Sequence, residues 1–519
     1  MSMLKNFATV GVATLTSRAL GFVRDIMIAA TLGSGPVADA FFVAFRLPNL
    51  FRRLFAEGAF NSAFIPIFAG SLQEDGPQGA RRVAEEILAG LLMVLLIFTA
   101  LAEIAMPLMI HILAPGFNED PAKFDLAVVL TQITFPYLLC MSVIAFLSGI
   151  LNSLGRFAAA AFAPVLLNIV LIGTLLLVLL FKVSDGPTAG YFLAWGVFAA
   201  GFVQLAALIW SLLRAGFPIS FRRPAYTSHV KSLLKLGIPG IVAGGVTQLN
   251  ITIGTIIASF QAGAVSYLYY ADRIYQLPLG VVGIAIGVVL LPDLTRKVRA
   301  GNEVAVDYAQ NRAMEFAMFL TLPAAIALAV IPAPIIAVLF QRGQFTSDAT
   351  HMTAMALAAY AFGLPAFVLN KVLSPGFFAR QDTKTPMQFA TIGMVINVAG
   401  SLILFPFLAH VGIAIATTAA GWVNALLLGV TLWRRGHFRA DAMLIRRLIL
   451  FSLSSLIMGV GIYWLSGVMA PWLHAAHLST RLGALAGLVL FGVLLFLVAT
   501  IGSGAFSLRE FKTRFNRKS

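Results

Sequence analysis

LGALAGLVLFGVLLFLVATIG, from Leu482 to Gly502, runs for 21 residues without a charged side chain. A helix needs about 20 apolar residues to cross the hydrocarbon layer of a bilayer. This stretch meets that length, and the pattern recurs along the chain. Apolar runs are centred near Thr14, Phe45, Ile97, Leu138, Ile169, Ala200, Val246, Val281, Leu322, Ala359, Val395, Ala419, Ile457 and Leu490. The run near Phe45 is the least hydrophobic. The sequence therefore predicts an all-α polytopic membrane protein with about fourteen transmembrane helices.

Composition supports the same class. Of 519 residues, 60% are hydrophobic and only 11% are charged, with a mean hydropathy of +0.92. A soluble chain carries roughly a quarter of its residues charged, so lipid must be the solvent for most of this one. The formal charge of +15 would point to nucleic acid in a soluble protein. Here the basic residues lie in short loops between apolar runs, where they set membrane orientation, and no nucleic acid is expected. The single cysteine, Cys140, lies inside an apolar run and reads as a small core residue. Lys5 followed by an apolar stretch resembles a signal peptide, but Arg18, Arg24 and Asp25 lie within that stretch. It reads as a first membrane helix that is retained.

Loop charges orient the chain. With the N-terminus in the cytoplasm, 25 of the 36 Lys and Arg fall on the cytoplasmic side, and Lys123, Lys182, Arg342 and Arg481 fall outside. That asymmetry is what the positive-inside rule predicts, with both termini cytoplasmic. A weak internal repeat accompanies it. Phe45-Arg46-Leu47-Pro48, followed by Ile65-Pro66, is echoed by Tyr275-Gln276-Leu277-Pro278, followed by Leu291-Pro292. A run from Gly149 to Asn168 is echoed from Gly376 to Asn397. The offset of about 230 residues suggests two parallel six-helix lobes around a central cavity plus two C-terminal helices. The corresponding divisions are 1–215, 216–436 and 437–519.

Charges inside the apolar runs carry the functional signal. Arg18, Arg24, Arg46, Arg52, Arg53 and Arg273 lie within predicted helices. Each costs about 2.5 to 3.5 kcal/mol at mid-membrane, on the order of 15 to 20 kcal/mol together if uncompensated. The acids nearby are Asp25, Asp39, Glu57 and Asp272. Four acids against six arginines leave a net positive cavity, which suits an anion. The arginine fork binds phosphate oxygens in pairs and keeps its charge, so several arginines suit a diphosphate. Structural alternatives stand beside this. Arg52 and Arg53 can snorkel to an interface, as can Lys371. Asp25 can simply orient Arg24, and Asp272 can be the structural partner of Arg273. Asp39, Arg46 and Arg53 share a helix face by spacing. Glu103 is a lone acid within a helix, and its role is left open. Pro48, Gly58, Pro66, Pro278 and Gly280 would let their helices bend.

Motifs of catalysis are missing, and no enzyme activity is expected. There is no Walker-type loop, no nucleophile elbow and no metal-ligand spacing among the seven histidines. No cofactor or metal is expected. Transport then runs on an ion gradient, the membrane potential or the substrate's own gradient.

Three stretches carry a family resemblance. Ser17-Arg18-Ala19-Leu20-Gly21-Phe22-Val23-Arg24-Asp25 resembles the first-helix signature of the MurJ (MviN) lipid II flippases. Ala38 to Asn49, continuing as Arg52-Arg53-Leu54-Phe55-Ala56-Glu57-Gly58-Ala59-Phe60, resembles the second. Ala271-Asp272-Arg273 followed by Pro278 resembles the eighth. The resemblance implies the fold of the multidrug/oligosaccharidyl-lipid/polysaccharide (MOP) exporters, with the last two helices forming a groove for a lipid tail. It implies lipid II, the undecaprenyl-diphosphate-linked peptidoglycan precursor, as substrate. Lipid II would move from the cytoplasmic to the periplasmic leaflet of the inner membrane by alternating access. It also implies a possible partnership with the cell-wall synthesis machinery, alongside the membrane lipids. Arg18, Arg24 and Arg273 match the family's cavity arginines, and Asp25, Asp39, Asn49, Arg52 and Glu57 match other functional positions. Position 46 is arginine where lysine also occurs. A sodium site reported in some members transfers poorly: Gln248, Asn250, Asn370 and Ser374 stand in its region without an acid, and none is expected. The alternatives are a flippase for another undecaprenyl-diphosphate glycan, of O-antigen type, and a multidrug exporter, for which a net acidic cavity would be expected.

Overall fold

The computed structural model describes residues 3–55, 59–184 and 186–505, with only the backbone described at 3–7, 53–55, 59–62, 236–247, 249, 281 and 284–289. Every regular element among the described residues is a helix. The chain folds into two compact units, Met1–Ser266 with Arg342–Thr346, and Tyr267–Gln341 with Ser347–Ser519.

The first unit holds α1 (Met3–Leu32), α2 (Pro36–Phe55), α3 (Ala59–Glu74), α4 (Gly76–Ile104), α5 (Met106–Leu113), α6 (Pro121–Thr134), α7 (Tyr137–Ser153), α8 (Phe157–Leu180), α9 (Pro187–Arg214) and α10 (Ser228–Ala258). Helix α1 packs along α8, α2 along α6, and α10 against α3. The sequence division at residue 215 follows the helix count, whereas the packing groups α10 with the first unit. Prolines open α4, α5, α6 and α9, where their missing N–H costs nothing because first-turn donors have no helical acceptor. Aromatic rings fill the core between α3, α7 and the segment after α9: Phe64 meets Phe146 at 4.8 Å and Phe68 meets Phe217 at 5.7 Å between centroids.

The second unit takes most of α11 (Ala264–Arg299), then α12 (Glu303–Val330), α13 (Pro332–Phe340), α14 (Ser347–Ala361), α15 (Leu364–Phe378), α16 (Lys384–Arg434), α17 (Ala442–Val468), the short α18 (Ala470–Leu473) and α19 (Leu478–Gly502). The 51-residue α16 is two helices joined at Ala409, whose φ of 50° and ψ of −137° are not helical. The second half returns along the first: Thr417 Oγ1 donates to Asn397 Oδ1 at 3.0 Å. Phe319 of α12 meets Phe451 of α17 and Phe496 of α19 at 5.4 and 5.3 Å. A buried ion pair ties α17 to α12: Arg447 Nη1 lies 2.8 Å from Glu315 Oε2, and Arg447 Nε donates to the carbonyl of Ala505 at 3.0 Å. The sequence treats Arg447 as a loop cation that sets orientation; its 5% exposure and Glu315 partner make it a structural bolt.

The units repeat the same order of helices. Helices α4, α5, α6, α7 and α8 begin at residues 76, 106, 121, 137 and 157, and α12, α13, α14, α15 and α16 begin at 303, 332, 347, 364 and 384. Each start therefore recurs after 226 or 227 residues, including the breaks between α4 and α5 and between α6 and α7.

Nine helical stretches among the described residues are long and apolar enough to cross a membrane. Their outer faces are apolar and exposed: Val460 and Trp464 on α17 and Val498 on α19 are each about two-thirds exposed or more. A surface like this is stable only against lipid. The chain is a multi-pass membrane protein.

Candidate functional site

The arginines of the membrane helices differ sharply in what they touch. Arg24 of α1 is 7% exposed. Its Nε and Nη2 lie 3.0 and 2.7 Å from Asp25 Oδ1, and Nη1 donates to Asn168 Oδ1 of α8 at 2.9 Å. Asn168 in turn donates to the carbonyl of Ser17 at 2.9 Å, so the amide bridges the two helices. Asp25, 2% exposed, is the counter-charge that makes a buried guanidinium tolerable. Gly21 lies beside this bridge, where a Cβ would rest in ordinary contact, 3.6 Å from Asn168 Nδ2.

Arg18, two turns before Arg24, is exposed. No hydrogen bond or ion pair joins it to any described residue. Its guanidinium donors are thus left open by the described side chains.

On α2, Arg46 is half-buried and Nη1 donates to Thr255 Oγ1 of α10. Arg52 Nε donates to Asn49 Oδ1 at 3.3 Å, and Asn49 Nδ2 to the carbonyl of Phe45 at 2.8 Å. The Asn49 side chain thus bonds its own helix and steadies Arg52. Glu57 lies outside the described residues, as does the side chain of Arg53.

Asp39 stands apart from the arginine row that its spacing suggests. It is fully buried. Oδ2 accepts from Lys123 Nζ at 2.7 Å and from Gly263 N at 2.9 Å; Oδ1 accepts from Ser266 N at 3.0 Å and Ser266 Oγ at 2.6 Å. Asp39 therefore caps the first turn of α11 and neutralises Lys123. That lysine also lies over the Phe117 ring at 4.0 Å. Sequence reasoning assigns Lys123 to an outside loop; it stands instead in the first turn of α6, 7% exposed. No spacing signal joins positions 39 and 123.

In the second unit, Arg273 of α11 lies over the Tyr269 ring at 4.6 Å, and its Nη2 donates to Tyr269 Oη at 3.0 Å. Asp272 accepts a hydrogen bond from Gln276, one turn on. Lys371 of α15 is exposed, and its ammonium rests beside Gly283 of α11, where a Cβ would lie 2.6 Å from Nζ. Among the described residues, no cluster of three His, Cys, Asp or Glu is placed to hold a metal.

The described residues form a multi-pass helical fold in which guanidinium groups stand on helices α1, α2 and α11, the mark of a polytopic membrane protein with charge among its helices. In fold it is similar to an inward-facing multidrug resistance MATE family transporter of the MOP superfamily, with a TM-score of 0.65 and 16% identity over 81% of this chain and 94% of that one. A solved structure titled lipid II flippase MurJ, inward closed conformation, is nearer: TM-score 0.78, 27% identity, 95% of this chain and 97% of that one. The family model described as lipid II flippase MurJ matches residues 28–483. A probable lipid II flippase MurJ of Rhizobium meliloti (strain 1021) is 51% identical over all of this chain and 97% of its own length. The lipid II flippase MurJ of Burkholderia cenocepacia is 32% identical over 96% of each. The chain belongs to the lipid II flippase MurJ family.

Proposed function

We propose that this protein moves lipid II from the cytoplasmic to the periplasmic leaflet of the inner membrane by alternating access, with arginines binding the diphosphate of the headgroup. The observation that carries the mechanism is Arg18: an exposed guanidinium within a membrane helix that no described residue satisfies. A diphosphate supplies paired oxygens that match its fork. In the same unit Arg46 donates to Thr255 and Arg52 to Asn49; in the second unit Arg273 donates to Tyr269. Arg24 is held by Asp25 and Asn168 and sets the position of α1 against α8. The undecaprenyl chain stays in the bilayer while the polar headgroup crosses.

Counting α1, the α2–α3 pair, α10 and α11 with the nine apolar stretches, and α16 as two, gives fourteen crossings. That even number puts both termini on one side, and the excess of basic residues in the loops of that side makes it the cytoplasmic one. Energy comes from an ion gradient or the membrane potential, and no cofactor takes part.

The test is complementation. Cells depleted of their own lipid II flippase receive the wild-type gene or Arg18→Ala, with membrane insertion checked for each. Wild type is expected to restore growth and lipid II exposure at the outer leaflet, and Arg18→Ala to fail. A well-inserted wild type that restores neither would reassign the substrate to another polyprenyl-linked glycan.

A further inference from the structure

One half-buried acidic side chain of the first unit belongs to none of the arginine contacts. Glu103 is the single Asp, Glu, Lys or Arg between Ile87 and Asn118. It stands 17 residues beyond Glu86, about 25 Å along the helix axis, and its neighbours Leu101 and Ile104 are 61% and 82% exposed, as lipid-facing residues are.

The backbone breaks beside it. Helix α4 ends at Ile104 and α5 begins at Met106. Pro107, in the first turn of α5, has no N–H to give the carbonyl four residues back, which is that of Glu103. Gln132 of α6 fills the gap: Nε2 donates to Glu103 O at 3.2 Å. The Glu103 side chain gains nothing from this. Its Oε1 is shut away from solvent and takes no hydrogen bond among the described residues. Thr99 Oγ1, one turn earlier on the same face, is equally enclosed and without a partner, in a residue 6% exposed. An ionised carboxylate with one oxygen enclosed and unpaired is costlier than the neutral acid.

The repeat shows that the break does not require these polar groups. In the second unit α12 ends at Val330 and α13 begins at Pro332. The positions 226 or 227 residues after Thr99, Glu103 and Gln132 are Ile326, Val330 and Ala358. One fold element is built twice, once apolar and once with a carboxyl, a hydroxyl and an amide. Ionisable groups at broken membrane helices mark ion and proton pathways.

Among the described residues no hydrogen bond or ion pair joins the Glu103 side chain to a cation. On α2, which meets α4 at Phe51 and Phe98, Arg46 donates to Thr255 and Arg52 to Asn49. On α5, His111 bonds Asn118. On α6, Lys123 pairs with Asp39, and Asp125 lies two turns from Gln132. On α7, Tyr137 bonds Gln204 and Cys140 packs under Gly201. Glu74 of α3 and His229, Lys231 and Lys235 of α10 stand at the far ends of their helices.

We propose that Glu103, with Thr99 beside it, is a proton-binding site that couples the transport cycle to proton movement. A proton from water joins the carboxylate to give the neutral acid, and returns to water when the break is wetted. The coupling rests on the transporter reading above; the binding of the proton does not.

Two measurements on the purified full-length protein test this. Infrared difference spectra, taken from alkaline to neutral pH, are expected to show a carboxylic-acid carbonyl band that Glu103→Gln lacks and Thr99→Val displaces in pH. In proteoliposomes held at zero potential, an imposed pH gradient is expected to change the rate of lipid II movement. In Glu103→Gln the ratio of rates with and without the gradient falls to one, while movement without a gradient persists. Spectra with no band that depends on Glu103 overturn the site. A wild-type rate that ignores the gradient despite the band overturns the coupling. If wild type moves no lipid II at all, the transport reading fails, and the infrared titration still decides the site.

Discussion

Replacing Lys123 by Met isolates a buried ion pair of the first unit. The ammonium and Asp39 lie 2.7 Å apart with side-chain exposures of 7% and 0%. Removing the cation leaves a carboxylate with no water and no counter-charge. It keeps three neutral donors, Gly263 N, Ser266 N and Ser266 Oγ. Breaking a buried pair costs about 3 to 5 kcal/mol, and the remaining donors place the expected loss toward the lower end, about 3 kcal/mol. Asp39→Asn should cost at least as much. It strands Lys123, and the amide NH₂ must face a donor whichever way it turns. The double variant Asp39→Asn/Lys123→Met removes both charges and should recover about 1 to 3 kcal/mol of the summed loss. Reversible unfolding in mixed detergent micelles, run as a double-mutant cycle, measures these values. A Lys123→Met cost within the roughly 0 to 1 kcal/mol of exposed pairs would refute the reasoning, as would strict additivity of the two single variants.

Other outcomes follow from local geometry. Asn168→Ala removes the bridge from Arg24 to the Ser17 carbonyl and is expected to cost about 1 to 3 kcal/mol in the same assay; no loss would show that α1 and α8 do not need it. Gly33→Ala sets a Cβ 2.3 Å from the Gln344 carbonyl oxygen at φ +65°. It should displace the segment Arg342–Thr346, seen as faster proteolysis or hydrogen exchange at those residues, by breaking the 2.9 Å bond from Gln344 N to Ala30 O. Asp382, between α15 and α16, is held down to about 2 by the backbone N–H and hydroxyl of Thr385, followed by Arg435. Its folded value is depressed, so its stabilisation is present above the unfolded value near 4 and is lost as pH falls from about 4 to about 2. Asp382→Asn should flatten stability across that window, and an unchanged acid profile would contradict the assignment.

Helix positions and charges were legible in the sequence because both follow local rules. Twenty apolar residues make a span wherever they occur; the breaks beside Pro107 and Pro332 emerge only from the structure. The repeat was visible in a few residues and is far clearer in the helix starts. Pairing was not legible. Arg24 and Asp25 are adjacent, but the third member of that site, Asn168, comes from 144 residues away. Asp39 looked like a companion of Arg46 because they share a helix face, yet its partners come from α6 and the start of α11. Lys123 and Arg447 read as loop cations, and only tertiary packing shows them enclosed. Arg18 stood out as a charge among apolar residues; that it has no partner among the described residues is visible only once the other side chains are placed.

The central claim is that the protein moves lipid II and that Arg18 binds its diphosphate. The direct measurement is the transbilayer movement of lipid II in proteoliposomes holding purified wild type, Arg18→Lys or Arg18→Ala. A charge-assisted contact of about 1.5 to 3 kcal/mol corresponds to roughly a 10- to 150-fold slower rate when subsaturating. Wild type is predicted to move lipid II, Arg18→Lys to retain part of that rate, and Arg18→Ala to lose at least tenfold. Equal rates for wild type and Arg18→Ala would contradict the account.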